Sequence, residues 1–477
     1  MIDQSLKYFQ EFLSPLYKPK YIEDKVRTYW QKENIKKIVA EQLKDKPHVG
    51  YVEGPPTLNG EPHIGHIRGR IIKDLWYRQL VLKGFNVVFR AGWDTQGLPV
   101  ELQAEKELGL IGNKAENIKA VGEEAIIRAC KDLINKYYKL WRESDELLGM
   151  SMDYDKAYWT FKDDYIEREW KYLEKAWKKG LLGEGYRVVA YCPSCQTSLS
   201  HSEVVQGYRL VVDPSLHFKM KLSEEDAYII LWTTMPFTIV TDEMVAVKPD
   251  ANYTYLKVGN ETWIVGEKRL VSLMDELGIS DYEVLKVIKG YKLEGKKYLH
   301  PLMDLIPKQL LLDKESYVHT IIAEDFVDVD TGSGLVHLSP ANGEEDFHAS
   351  IKRNMPVFNP IDDRAYFTHE AGVFDGMYLR DADEKVIDLL KEREMILKVN
   401  KISHEYPTCW RSQHKLVWIA RREYFYWVDK LEDLAIRAAE GIKYYYNPPK
   451  NRFIDIINER VPWCISRERI WGPPLPI

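Results

Sequence analysis

Apolar residues recur at helical spacing over residues 20–46, where Ile22, Val26, Trp30 and Ile35 fall roughly on one face, and the pattern predicts a helix. "PHVGYVE" follows as a short buried strand. "HIRGRIIKDLWYRQLVLKG" returns to the helical period through Ile67, Ile71, Leu75 and Leu82, with Gly84 as its C-cap. "FNVVFRAGW" predicts a second strand. Strand, loop, helix and strand make a βαβ unit, so the two strands should lie parallel with a right-handed crossover. Helical periodicity dominates 115–149 and 163–180. From about 208 to 340, β-type runs such as "LVVDPSLHFKMKL", "AYIILWTT", "TYLKVG" and "LVHLSP" alternate with turn signals. Beyond about 405, "EYFYWVDKLEDLAIRAAEGI" and "NRFIDIINERV" read as helices and "RIWGPPLPI" as an extended end. There is no internal repeat. The simplest organisation is one α/β domain with a parallel sheet, interrupted by a β-rich insertion.

Composition narrows this only a little. The 477 residues suggest two to four domains. A net charge of −6 with 67 basic residues neither supports nor excludes a nucleic-acid partner. No apolar run reaches the ~18 residues of a membrane span, and "MIDQSLKYFQEF" does not read as a signal peptide. Five cysteines, two of them as Cys-x-x-Cys, fit a reducing, cytoplasmic setting and a metal site better than a disulfide framework.

The loop "GPPTLNGEPHIGH", Gly54 to His66, carries three prolines, three glycines and two histidines between the first strand and its helix. A strand that turns into a helix in this way points free backbone N–H groups and the helix dipole at an anion. Gly65 permits close approach of a nucleotide, and His63 and His66 add N–H donors without a permanent charge. Elsewhere, Cys192 and Cys195 in "YCPSCQTSLSHSE" have the spacing of a tetrahedral zinc knuckle.

"PHIGH" resembles the HIGH signature of the class I aminoacyl-tRNA synthetases, and the resemblance covers nearly the whole chain. "GWDTQGLPVE" (92–101) is similar to GWDTHGLPIE of the isoleucine enzymes, "LWTTMPFTI" to their LWTTTPWTL, "GSGLVHLSPANGEEDF" to GTGIVHxAPxxGxxD, and "PWCISRERIWGPPLPI" to WCISRQRxWGxPIP. The ordered matches make chance agreement very unlikely, and the resemblance is to the archaeal type of these enzymes. The resemblance implies a Rossmann-like nucleotidylyl-transferase domain with an inserted editing domain. It implies ATP, magnesium, isoleucine and the tRNA for isoleucine as ligands. Gly54, His63, Gly65 and His66 match its ATP loop, with both histidines catalytic. Asp94 matches the carboxylate that faces the ammonium of isoleucine. Gln96 replaces the usual His, and Trp93 should pack.

In the insertion, Thr233, Thr234 and Thr238 match a threonine-rich strand, His337 lies in the matching VH segment, and Asp346 matches the residue that holds the ammonium of misattached valine. One methylene is worth only ~1–3 kcal/mol, so a second, hydrolytic site is needed for fidelity. Met235 and Phe237 depart from the family pattern. A second knuckle, "YPTCWRSQH", supplies Cys409, but Ser412 stands where a fourth Cys is usual. His414 is the expected fourth zinc ligand, with His201 and His404 as alternatives. The implied domains are 1–185 for an N-terminal extension and the first half of the catalytic domain, 186–200 with 401–416 for the zinc region, 201–400 for editing, and 417–477 for the return. The KMSKS loop and the anticodon-binding domain are expected beyond this sequence, in a further segment or a separate chain. Synthesis by this chain alone is therefore not expected. A stand-alone editing hydrolase and a non-catalytic tRNA-binding module are the alternatives.

Overall fold

The computed structural model describes residues 18–110, 114–444 and 446–477. The chain divides into two compact units, one of residues up to 172 with 469–477, the other of residues 173–468.

In the first unit the strands His48–Val52, Asn86–Trp93 and Asp153–Trp159 form a sheet in that order, with both pairings parallel. The helix Ile64–Leu82 crosses between the first two strands, as the βαβ reading requires. The helix Glu123–Leu148 buries Ile126, Cys130, Leu133, Ile134 and Trp141 in a cluster with Leu58, Trp93 and Val100. Three expectations need correction. The helix expected over 20–46 is two, Pro19–Lys32 and Ile35–Leu43, because Asn34 takes a left-handed conformation (φ 49°). The helix of 115–149 is likewise broken at Gly122 (φ 80°). The strand His48–Val52 is not buried. It alternates between exposed and half-buried residues, since only one of its edges is paired among the described residues.

Among its described residues the second unit contains three sheets. One runs, in hydrogen-bonded order, Trp463–Cys464, Val417–Tyr426, Leu182–Cys192, Thr197–Leu199, all antiparallel. A six-stranded sheet runs Glu283–Lys289, Asn252–Val258, Glu261–Gly266, Tyr228–Thr233, Tyr208–Lys221, Ile396–Pro407. A small sheet places Met244–Val247 between Thr320–Ala323 (parallel) and Val336–Leu338 (antiparallel). The largest core cluster joins the six-stranded and small sheets through Phe218, Leu231, Ile264, Val245 and Ile321.

The helix expected from Glu423 begins only at Glu432. Residues up to Tyr426 extend a ten-residue strand instead, in which Val417, Ile419 and Phe425 turn inward at a period of two. Among the described residues no helix is long and apolar enough to cross a membrane.

Candidate active sites

In the first unit the loop after His48–Val52 and the end of Asn86–Trp93 meet at the carboxyl ends of two parallel strands, the position where open α/β sheets bind ligands. Thr57 and Asp94 bridge them: Leu58 N donates to the Asp94 carbonyl at 2.9 Å, Asp94 N to Pro56 O at 3.0 Å, and the Thr57 hydroxyl to Asp94 Oδ2 at 2.8 Å. Asp94 is half-buried, so one carboxylate oxygen is fixed while the residue still reaches solvent. The sheet itself is tied to this loop by Tyr158, whose hydroxyl donates to the Glu53 carbonyl at 2.5 Å. Gly92 makes that possible, since a Cβ there would stand 2.2 Å from the Tyr158 ring.

His63 caps the helix Ile64–Leu82. Its Nδ1 accepts from Gly65 N at 3.1 Å, while His66 Nδ1 accepts from His63 N at 3.2 Å, a reciprocal capping box. The two rings stack at 3.7 Å between centroids. Because both Nδ1 atoms accept, both Nε2 atoms carry hydrogen. The helix N-terminus thus presents two imidazole N–H donors together with its own amides. Burial, then His63 and Arg70, lower the pKa of His66 and keep it neutral. Gly65 is pressed under the His63 ring, 3.0 Å from where a Cβ would be. Gly54 is exposed with open space beside it.

In the second unit the chain leaves the strand Tyr228–Thr233 and forms a short 3₁₀ helix, Pro236–Thr241. Thr233 Oγ1 accepts from Met235 N at 3.1 Å, Thr238 Oγ1 donates to Met235 O at 2.7 Å, and Thr238 Oγ1 lies 3.2 Å from His337 Nε2. Thr233, Thr238 and His337 therefore share one hydrogen-bonded run. Thr234 is half-buried beside it. Asp346 sits in the first turn of the helix Glu344–Lys352, and its Oδ2 accepts from Ser339 N at 2.8 Å. Ser339 is bonded in turn to Thr241, which links Asp346 to the 3₁₀ segment. Burial of the Asp346 carboxyl pushes its pKa up to about 7, against the lowering effect of the Ser339 amide and His337.

The thiols of Cys192, Cys195 and Cys409 lie within 4.8 Å of one another, all buried. Cys195 N donates to Cys192 Sγ at 3.3 Å, and Cys195 and Cys409 Sγ are 4.0 Å apart. Tetrahedral zinc with bonds of about 2.3 Å sets sulfurs about 3.8 Å apart, so the donor set and its spacing fit that ion. Ser412 Oγ is 3.2 Å from Cys192 Sγ. His414 is exposed, and its Nδ1 faces the Ser412 carbonyl at 3.1 Å. His201 is exposed, and His404 Nε2 is taken by Asp213 at 3.0 Å. The oxygen beside the thiols is Ser412, and none of the three histidines joins the thiol group.

Sequence reasoning passed over Thr57, Asp242 and Gly343. Asp242 was signalled by an acidic pair, "DE", set inside the apolar run "TIVTDEMVAV". Thr57 acts on a partner that only folding brings near, whereas Gly343 acts on a near neighbour in the chain: a Cβ there would stand 2.5 Å from the Asp346 carboxyl.

The family described as tRNA synthetases class I (I, L, M and V) matches residues 25–477. The isoleucine–tRNA ligase of Pyrococcus abyssi is 37% identical over 468 residues, 97% of this chain and 44% of that protein. The enzyme of the same name from Methanocaldococcus jannaschii is 35% identical over 465 residues, 96% of this chain and 44% of that protein. The chain thus spans less than half the length of these relatives. Among solved structures, a ternary complex of LeuRS, tRNA and LeuAMS from Agrobacterium radiobacter aligns with 83% of this chain and 49% of its own at 16% identity and a TM-score of 0.33.

Proposed function

Since the chain belongs to the class I tRNA synthetases (I, L, M and V), we propose that it is the N-terminal part of an isoleucine–tRNA ligase. In this reading the three parallel strands begin a Rossmann-like domain and the second unit carries the editing insertion. The observation that carries the synthetic half is the pairing of two Nε2–H donors at a helix N-terminus with Asp94 at the neighbouring strand end. His63 and His66 donate to phosphate oxygens of ATP, whose magnesium accompanies it, and Gly54 and Gly65 leave room for the nucleotide. Asp94 receives the ammonium of isoleucine. The amino-acid carboxylate then lies where it attacks the α-phosphorus, and pyrophosphate leaves. Neutral imidazole donors suit charge that grows on the phosphate and then departs.

The editing half acts on a misattached valine ester. Asp346 receives its ammonium, and the hydroxyls of Thr233, Thr234 and Thr238 line the ribose and the attacking water. Isoleucine is excluded because overfilling a packed pocket costs about 1–3 kcal/mol. Cys192, Cys195 and Cys409 would hold zinc, and the ion would fasten the two knuckles together.

The test is hydrolysis of valyl- against isoleucyl-tRNA for isoleucine by excess chain. Hydrolysis of the valyl ester alone, lost in Asp346→Ala and kept in His66→Ala, is the expected result. The reverse pattern between the two variants would overturn the assignment of two separate sites. All residues of the editing pocket lie within the second unit. That favours, as a second reading, an editing hydrolase acting alone. Isoleucine-dependent ATP–pyrophosphate exchange, regained when the remaining part of the relatives' length is supplied, decides against it.

A further inference from the structure

The contact between Thr238 and His337 continues inward through two groups not assigned above. His337 Nδ1 lies 3.1 Å from Asp242 Oδ1, and Asp242 Oδ2 accepts from the Tyr298 hydroxyl at 2.5 Å. Asp242 is 0% and Tyr298 1% exposed, so the run ends in the core.

Donor accounting places the protons. The Met235 carbonyl only accepts, so the single hydroxyl proton of Thr238 goes to it, at 2.7 Å. Toward His337 the Thr238 oxygen then only accepts, and Nε2, at 3.2 Å, carries hydrogen. On the other side of the ring, Nδ1 and Asp242 Oδ1 share one proton between them.

We propose that Asp242 is a positioning residue of the second unit's pocket. It holds the His337 ring with Nε2–H directed at Thr238, and Tyr298 fixes the carboxyl group that does so. This rests on the reading of the pocket as an ester-hydrolysing site. As water adds to an ester, negative charge develops on the carbonyl oxygen, and hydrogen-bond donors fixed beforehand in a dry pocket stabilise it without reorganisation.

The charged and titratable groups near His337 are Asp242 from the turn after the 3₁₀ helix, Asp346 from the helix Glu344–Lys352, and His300 from the loop before Leu302. Tyr298 acts through Asp242. His300 is neutral, since its Nδ1 accepts from Leu302 N and its Nε2 donates to Ile239 O. The carboxylates therefore set the balance.

The experiment is a nitrogen-15 NMR titration of histidine-labelled whole chain, with the His337 signals assigned by their loss in His337→Gln. Asp242→Asn should lower the proton affinity of His337 by about tenfold or more. Tyr298→Phe should raise it, because the carboxylate loses a donor and becomes the stronger base. Opposite shifts are the expected result, and general loosening of the pocket does not produce them. No shift in either variant, or shifts of the same sign in both, would overturn the proposal. If Asp242→Asn does not fold, the Tyr298→Phe shift decides alone. Hydrolysis of valyl-tRNA over the same pH range should fall about tenfold or more in Asp242→Asn. A native chain with no hydrolysis at all refutes the editing reading, while the NMR result still decides the role of Asp242.

Discussion

His300 should make the second unit acid-sensitive by an amount that can be worked out. Its ring is buried, with Nε2–H donating to Ile239 O at 2.8 Å and Nδ1 accepting from Leu302 N at 3.2 Å. A second proton must go on Nδ1, which breaks the Leu302 bond and places a charge in the core. Burial first, then neighbouring His319, lower its pKa from 6.5 to about 4. As pH falls below 6.5 the unfolded chain takes up a proton that the folded chain refuses, so stability is lost from 6.5 down to about 4 and not further below it. Between pH 8 and pH 5 the loss is about 2 kcal/mol, approaching about 3 kcal/mol at lower pH.

Asp346, raised to about 7, and Glu243, raised to about 8, work in the opposite sense, because their folded forms bind protons more readily. The informative quantity is thus the difference between the native chain and His300→Gln, which keeps a donor and an acceptor but does not titrate. Urea unfolding followed by near-ultraviolet circular dichroism at pH 8 and pH 5 measures it. The native chain should lose about 2 kcal/mol more than the variant. Equal losses, within about 0.5 kcal/mol, would refute the argument.

Other consequences are as direct. Gly343→Ala should fold normally, since its backbone (φ −126°, ψ 137°) suits any residue. It should reduce hydrolysis of valyl-tRNA by about 30-fold or more, because the new Cβ displaces the Asp346 carboxyl from Ser339 N. Gly92→Ala should lower stability by several kcal/mol, at the upper end of single substitutions, while Gly50→Ala in the adjacent strand, with nothing within 4 Å, should be nearly neutral in thermal unfolding. Ser412→Cys should tighten zinc by about tenfold or more against a chromophoric chelator, and His414→Ala should leave it unchanged. Zinc below about 0.2 per chain after gentle purification would count against the thiol site.

The sequence made the local devices plain. The capping histidines, the βαβ unit and the Cys-x-x-Cys knuckle each complete themselves within a few residues, so composition and spacing reveal them. Contacts that close over long stretches were not legible. Thr57 meets Asp94, and Asp242 joins His337 to Tyr298, through sheet registers that no periodicity encodes. His414 shows how spacing and position differ. Counting along the chain favoured it as a ligand, but Gln413 turns through a left-handed conformation (φ 65°) and Cys409 N takes the His414 carbonyl, leaving the ring exposed. The strand Val417–Tyr426 was misread at its end because aromatic residues fit either period.

The edge of His48–Val52 left unpaired among the described residues has a consequence for handling the protein. A parallel strand ordinarily lies inside its sheet, covered on both faces. Here Val52 is 64% exposed, and the helix Ile64–Leu82 turns Ile64, Ile71, Leu75 and Leu82 to solvent along one stripe. A bare row of amide donors and acceptors is a template for strand addition, and an apolar stripe lowers the barrier to it. The chain purified by itself should therefore self-associate with rising concentration and bind a hydrophobic dye while fully folded. Lysine at Val52 and Leu75 should suppress both without changing the melting of the second unit.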